Sequence, residues 1–467
     1  MTGVVLMHRI MNEINATDLR GTIISDPVVL VLGLGASGEA AAQLLLRQGR
    51  RVMVVDAGAS PALEQKAQSL RAKGCQVFIG TRSLPETQIE FAVLSPGIPD
   101  TDPWVSALRA RGVPVISELE LGWRACKSRM LAVTGSNGKS TLVKLCCESL
   151  QKAGFTAEAG GNYGRPLSAL ACLEPAPEWV VVEVSSFQLE AVEQFVPEAG
   201  VLLNINPNHL DRHGTMECYA DMKSRLFKCM DHRHVAVIPE NISEWIRAAV
   251  PAGCRIATFG LSRTSSFYYE AGGIHGTSLV QPVSVAGTIF DNEVMGVTAA
   301  ACVAALAGAG VLPQCVTAAA NDFQCLPHRM QKVAEIDGVS FVNDSKATNL
   351  AAMAAGVRMA RGPVRLIAGG LLKEKDLNSV KKVLVNKVHG VYIIGKYSLV
   401  MAAAWQSELS CVVCADLQEA VNRAWQDAQR GEVILLSPGC ASFDQFRSFE
   451  DRGEQFLRIV RDIQKGE

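Results

Sequence analysis

A short apolar run at 130–133 leads into Thr134-Gly135-Ser136-Asn137-Gly138-Lys139-Ser140-Thr141, and a helical pattern follows through Leu150. The glycines let successive backbone N–H groups turn toward phosphate oxygens, and the helix start adds partial positive charge. Lys139 can reach the terminal phosphates, and the Ser140 hydroxyl can ligate Mg²⁺. The usual phosphate loop has another glycine five residues before Gly138, where Val133 stands here, so the loop is a shorter variant. The alternative is an ordinary glycine-rich turn. Gly, Lys and Ser in order between a strand and a helix favour phosphate binding.

A second glycine-rich turn has the same setting. Gly33-Leu34-Gly35-Ala36-Ser37-Gly38 follows the β-branched run at 27–34, and the next strand pattern ends at Asp56. This matches the dinucleotide fingerprint. It opens a helix N-terminus to a diphosphate, which UDP satisfies as well as NAD does. Asp56 then holds a ribose hydroxyl or a uracil, or simply caps the next turn. A nucleotide at Lys139 also needs metal ligands. Glu183 ends the apolar run at 180–182, and His209 follows the strand pattern at 200–205. Strand carboxyl ends in open α/β sheets face the ligand crevice, where a buried Glu is costly unless it meets a cation. Glu183 and His209 are thus candidates for Mg²⁺, directly or through water. Lys223 lies on a helical pattern, where physics alone reads it as a surface lysine.

These turns require sheets to position them. Strand-like and helix-like segments alternate through the 467 residues, which argues for parallel sheets covered by helices. The expected fold class is α/β with three domains. A Rossmann-like domain spans 1–117, and a central P-loop ATPase-like domain spans 118–325, with a parallel sheet and a small antiparallel insertion at 255–289. A Rossmann-like C-terminal domain spans 326–467. An alanine-rich helix is expected at 297–309. The third block has strands at 339–342, 364–368, 390–394 and 433–436, and the run Cys411-Val412-Val413-Cys414 reads as a buried strand rather than a metal knuckle. Hydrophobic residues make up 48% of the chain, enough to give each domain a core, and the net charge of −1 gives no bulk attraction to nucleic acid or anionic membranes. The 14 cysteines are scattered, as suits reduced cytosolic thiols. The N-terminal stretch, with Arg9 and Glu13, lacks the continuous apolar run of a signal peptide, and no segment reaches the ~20 apolar residues of a membrane span. A cytoplasmic monomer is expected.

Together these motifs resemble the Mur ligase family. The likeness runs from about Val28 to the C-terminus. It includes the GLGASG turn, Ser95-Pro96-Gly97-Ile98, TGSNGKST, Gly161-Asn162-Tyr163-Gly164, Glu183-Val184-Ser185-Ser186-Phe187-Gln188 and His209-Leu210-Asp211. The third block adds Leu326-Pro327-His328-Arg329, Asn343-Asp344-Ser345-Lys346-Ala347-Thr348-Asn349 and Ser437-Pro438-Gly439-Cys440-Ala441-Ser442-Phe443-Asp444. The NDSKATN string resembles the branch that adds D-glutamate to UDP-N-acetylmuramoyl-L-alanine.

The resemblance implies ATP-dependent ligation of D-glutamate to that precursor in peptidoglycan synthesis. UDP-precursor contacts would come from Ala36, Ser37, Asp56, Gly97, Asn162, Ser185 and Gln188. ATP would bind at Gly135, Ser136, Asn137, Gly138, Lys139, Ser140 and Thr141, with Asn292 at the adenine and Arg329 and Asp344 at phosphate and ribose. Two Mg²⁺ ions would be organised by Ser140, Glu183, His209 and Lys223, the last as a carbamate. Lys346, Thr348, Lys373, Ser442 and the Phe449 backbone would hold the amino acid. This sequence departs from common family patterns at three points: Asn208 replaces an Asp, Asp291 replaces a His, and Gly369-Gly370-Leu371-Leu372-Lys373 lacks an Asp after the glycines. Lys375 also stands two residues from Lys373.

The chemistry implied is activation of a carboxylate as an acyl phosphate, followed by attack of an amine. Lys139 and Mg²⁺ would stabilise the transferring phosphoryl group. The base is His209 or a metal-bound oxygen. A nicotinamide-dependent oxidoreductase would explain residues 33–38 and Asp56 but would leave Lys139 and the NDSKATN block without a role. A nucleotide-binding regulator without catalysis would not need Glu183, His209 and Lys223.

Overall fold

The structure is a computed structural model that describes residues 27–374 and 376–466. Lys375 and the N-terminal stretch with Arg9 and Glu13 lie outside the described residues. Three sheets follow one another along the chain. The first holds β1 (Val28–Leu32), β2 (Val52–Asp56), β3 (Gln76–Ile79), β4 (Ile89–Leu94) and β5 (Val115–Ser117), in the order β3-β2-β1-β4-β5. All its pairings are parallel. Each residue of β1 is buried, as a strand covered by helices on both faces must be. The strand order reverses between β1 and β4, and the turns after these strands meet there. Gly33 sits at φ +88°, and a Cβ on Gly38 would come within 1.8 Å of the Gly33 carbonyl oxygen, so only glycine fits both positions.

The central sheet holds β6 (Arg129–Thr134), β7 (Ala157–Gly161), β8 (Trp179–Glu183), β9 (Ala199–Leu202), β10 (Val235–Pro239), β11 (Arg255–Gly260), β12 (Phe267–Glu270), β13 (Gly273–Gly276) and β14 (Val283–Ser284). Its order is β14-β13-β12-β11-β10-β9-β6-β8-β7. The strand feeding the phosphate loop, β6, therefore lies between the strands that end at Glu183 and Leu202. Only β12–β14 pair antiparallel, and they extend the main sheet, whereas β11 pairs parallel with both β10 and β12. The expected insertion at 255–289 is thus smaller than its glycine-rich alternation suggested, because alternation marks a strand without specifying its pairing. The alanine-rich helix spans Glu293–Gly308, starting earlier than expected because the Asn292 side chain caps it by accepting from the Met295 N–H at 3.0 Å.

The third sheet holds β15 (Gln331–Ile336), β16 (Val339–Asn343), β17 (Val364–Gly369), β18 (Val388–Ile394), β19 (Cys411–Val413) and β20 (Val433–Leu436), in the order β15-β16-β20-β17-β18-β19. Only β15 runs antiparallel. The Cys411 run is a strand but not a buried one: β19 forms the sheet edge, and Val413 is 43% exposed. A β-branched run signals an extended segment, not its place in the sheet. No helix among the described residues is long and apolar enough to cross a membrane.

Candidate active site

The phosphate loop is pinned from below. Gly135 has φ +148° and Gly138 has φ +82°, and Cβ atoms there would press on Leu203 at 3.1 and 2.9 Å. The Asn204 side-chain oxygen, just beyond β9, accepts from the Ser136 and Asn137 N–H groups at 3.1 and 2.9 Å, and its amide donates to the Asn137 carbonyl at 3.0 Å. Ser136 exchanges hydrogen bonds with the Asn206 backbone at 2.9 Å. The loop is thereby preorganised at the N-terminus of the helix Lys139–Lys152. Lys139 folds back over it, donating to the carbonyls of Gly135 at 3.0 Å and Ser136 at 3.2 Å. Burial lowers its pKa, Glu183 opposes that shift, and Arg329 adds to it.

Glu183, 3% exposed at the end of β8, gathers three segments. It accepts from the Ser140 hydroxyl at 2.6 Å and from the Asn162 amide at 2.7 Å. Arg329 reaches across from the third block to donate to the same Ser140 hydroxyl at 2.9 Å. The residues on either side of Arg329 take unusual backbone angles, with His328 at φ +59° and Met330 at φ +44°. Such conformations cost of order 1–3 kcal/mol each and persist where the surroundings dictate them. His328 is fixed between Asn343, at 3.1 Å from its ring nitrogen, and Gly453, where a Cβ would lie 2.2 Å from that nitrogen. A second link joins the blocks: Asn137 and Asn349 exchange side-chain amide bonds at 3.3 and 2.9 Å.

Lys223 differs most from its sequence reading. It lies on the helix Met216–Ser224, as expected, but it is 1% exposed. Its ammonium donates to the Gly135 carbonyl at 2.9 Å and approaches the Thr134 hydroxyl at 3.4 Å, beneath the phosphate loop. Burial holds its pKa well below the usual lysine value, and nearby Lys139 lowers it further. Helical spacing shows which face a residue shares, but the sequence could not reveal that this face lies under the loop. His209, at φ +54°, opens the short helix Leu210–His213, and its ring meets Phe187 edge-on at 4.9 Å.

One cleft of about 2530 Å³ between the central and third sheets is lined by Asn137, Gly138, Thr141, His209, Asn292, Arg329, Asp344, Lys346 and Lys373. Asn292 uses its side chain in the helix cap and also donates to the Ile289 carbonyl at 2.9 Å. Asp344 is buried, accepting from Ser437 at 2.8 Å and from the Met330 N–H at 3.1 Å, and burial pushes its pKa up to about 7. Lys346 sits 3.6 Å over the Phe449 ring, and burial brings its pKa down to about 8. Ser442 is 2% exposed, Thr348 is half-buried and Lys373 is exposed.

The expected precursor contacts divide in two. Ala36, Ser37, Asp56 and Gly97 sit at the first sheet's crevice, outside this cleft. Asp56 accepts from the Leu34 and Gly58 N–H groups at 2.6 and 2.7 Å, which is the turn-capping geometry. Gln188 accepts from the Ser185 N–H and hydroxyl at 2.9 and 3.1 Å. Arg212 couples the crevice to the central block. It pairs twice with Glu190, at 2.8 and 2.5 Å, and donates to the Pro96 and Ile98 carbonyls. Asn204, Arg212 and Asn349 had no assigned role in the sequence reading, although Arg212 adjoins the His209-Leu210-Asp211 motif and Asn349 ends the NDSKATN string.

Three family models match consecutive parts of the chain. A Mur ligase MurD-like N-terminal domain matches residues 27–117, a Mur ligase middle domain matches 133–299, and a Mur ligase glutamate ligase domain matches 328–440. The chain belongs to the Mur ligase family. The UDP-N-acetylmuramoylalanine–D-glutamate ligase of Acidobacterium capsulatum is 37% identical, over 92% of this Mur ligase and 95% of its own length. The protein of the same name from Koribacter versatilis is 35% identical, over 94% and 98%. Among solved structures, MurF from Thermotoga maritima in complex with ADP superposes with a TM-score of 0.62 at 15% identity, covering 93% of this chain and 98% of that one. Its likeness shows that the fold is shared.

Proposed function

We propose that this Mur ligase joins D-glutamate to UDP-N-acetylmuramoyl-L-alanine at the expense of ATP, through an acyl phosphate. The observation that carries the reading is one cleft lined by Asn137, Gly138 and Thr141 of the phosphate loop, by the amino-acid candidate Lys346 and by Arg329, which donates to the Ser140 hydroxyl that Glu183 accepts from. Relatives of that name at more than one-third identity supply the substrate identities. The precursor carboxylate attacks the γ-phosphorus of ATP, and ADP leaves. The amine of D-glutamate then attacks the acyl carbon and expels phosphate. Lys139 exchanges its loop carbonyls for phosphate oxygens and stabilises the transferring charge, while Arg329 approaches from the opposite wall.

Ser140 and Glu183 place hard oxygen atoms 2.6 Å apart beside the loop, which fits Mg²⁺ held otherwise by phosphate and water. Among the described residues, no group of three or more His, Cys, Asp or Glu forms a self-sufficient metal cluster. Bound there, Mg²⁺ would neutralise charge on the phosphoryl oxygens. A second ion would be held by His209 and Lys223. The Lys223 ammonium is buried without an ion-pair partner among the described residues, a costly arrangement for an ordinary lysine. Loss of one proton from the ammonium gives the neutral amine, and its addition to CO₂ with loss of a second proton gives an oxygen-bearing carbamate suited to a hard metal. The UDP end rests in the first crevice against Ala36, Ser37, Asp56 and Gly97. Lys346, Thr348, Lys373, Ser442 and the Phe449 backbone hold the amino acid. The enzyme acts as a monomer in the cytoplasm, where ATP and sugar nucleotides occur, and its cysteines are free thiols.

Phosphate release with UDP-N-acetylmuramoyl-L-alanine and a panel of D- and L-amino acids tests the reading. D-glutamate should be turned over in preference to D-aspartate, D-glutamine and L-glutamate, because a mismatched side chain leaves buried polar groups unpaired. Equal rates with D-glutamate and D-glutamine would count against the assigned amino-acid site.

A further inference from the structure

Arg452 lies in the first turn of the last helix, Phe449–Lys465, and is completely buried. Among the described residues it has no salt-bridge partner, and one guanidinium nitrogen, Nη1, makes no hydrogen bond. Burying an unpaired cation is expensive, and an apolar residue would fill a purely structural position more cheaply. The guanidinium instead binds two separate loops. Nε donates to the Ser345 hydroxyl at 3.0 Å, and Nη2 donates to the carbonyls of Ser345 at 2.9 Å and Cys440 at 3.1 Å. Ser345 passes the connection on, its hydroxyl donating to the Phe449 carbonyl at 2.8 Å. The Phe449 ring in turn lies against the Lys346 ammonium at 3.6 Å.

The three segments joined in this way are three of the four assigned to the amino acid, Lys373 lying on the fourth. Ser345 adjoins Lys346 and precedes Thr348, Cys440 precedes Ser442 by two residues, and Phe449 begins the helix that carries Arg452. The first is about 100 residues from the other two in sequence, and although Gly439 N–H also donates to the Ala347 carbonyl at 2.9 Å, this guanidinium is the side chain that reaches both loops from the helix. The carboxylate whose charge acts on Arg452 is Asp444, which accepts from the Lys396 N–H at 2.8 Å through one oxygen and leaves the other without a partner.

We propose that Arg452 is the positioning residue of the amino-acid site, fixing the spacing between the Lys346–Thr348, Ser442 and Phe449 segments without touching the substrate. This rests on the function proposed above. A displacement of about 1 Å in such a site is enough to weaken a multipoint contact strongly.

Steady-state kinetics of the full-length enzyme with all three substrates tests it. Arg452→Met should raise KM for D-glutamate about tenfold or more while KM for ATP and for the UDP-precursor stays within about twofold. Arg452→Lys, which retains a donor, should recover part of the loss. Ser345→Ala removes the middle link without stranding a charge and should raise the D-glutamate KM several-fold. An unchanged D-glutamate KM in Ser345→Ala and in folded Arg452→Met overturns the proposal, as does an equal rise in all three KM values. If Arg452→Met does not fold, Ser345→Ala decides alone. A wild-type enzyme that uses a different amino acid would instead refute the proposed substrate, and the same comparison would then be made with that amino acid.

Discussion

Lys139 is held over its own loop by two backbone carbonyls, ready to exchange them for phosphate oxygens. Removing one positioned charge of this kind costs roughly a hundredfold or more in rate. Lys139→Ala should therefore lose at least about that much turnover while keeping the wild-type circular dichroism spectrum, and a folded variant with near-normal turnover would rule out the loop's role. Lys346 gives a pH signature. With its pKa brought down to about 8 by burial, it is cationic below that pH and neutral above it. Its attraction for the glutamate carboxylate should fade as pH rises through about 8, so KM for D-glutamate should climb there while KM for the UDP-precursor does not. A flat D-glutamate KM up to pH 10 would remove Lys346 from the site. At this scale the sequence revealed groups whose chemistry is local, such as Lys139, Ser140 and Glu183. It did not reveal the burial of Lys223 or the connections of Arg452, because both depend on segments distant in the chain.

The elements carry the site by close approach as much as by side-chain chemistry. Gly453 stands inside a helix, where glycine is about 1 kcal/mol worse than alanine. The His328 ring occupies the space a Cβ would need, at 2.2 Å. Gly453→Ala should gain that propensity but incur an overpacking cost of about 1–3 kcal/mol. The net result should be a lower urea midpoint and, through displacement of His328, a weaker hold on Arg329 and a higher KM for ATP. A raised midpoint with unchanged KM would show that His328 does not set the position of Arg329. The glycine-rich turns at 33–38 and 135–138 were legible because their strand–turn–helix context is continuous in sequence. The β15 strand and the parallel pairing of β11 were not, since polar composition hid the first and alternation does not encode pairing direction. An Arg-Gly pair interrupting an otherwise strongly amphipathic helix was the one local sign of the packing at 452–453.

Across the whole molecule, the three sheets carry the three proposed binding regions, joined by a few polar contacts. Arg212 and Glu190 tie the first crevice to the central block, and Arg329–Ser140 with Asn137–Asn349 tie the central block to the third. The α/β alternation and the order of the motifs made this three-part arrangement readable, while the contacts between parts were not, because they join residues far apart in sequence. An enzyme built in this way can pass a carboxylate through activation and amide formation within one cleft. The most direct test uses UDP-N-acetylmuramoyl-L-alanine labelled with oxygen-18 in its terminal carboxylate, incubated with ATP, Mg²⁺ and D-glutamate and followed by mass spectrometry. The account predicts that the precursor gains one glutamyl unit and that each released phosphate carries one labelled oxygen derived from the acyl phosphate. Unlabelled phosphate, or ATP hydrolysis without glutamyl product, would contradict it.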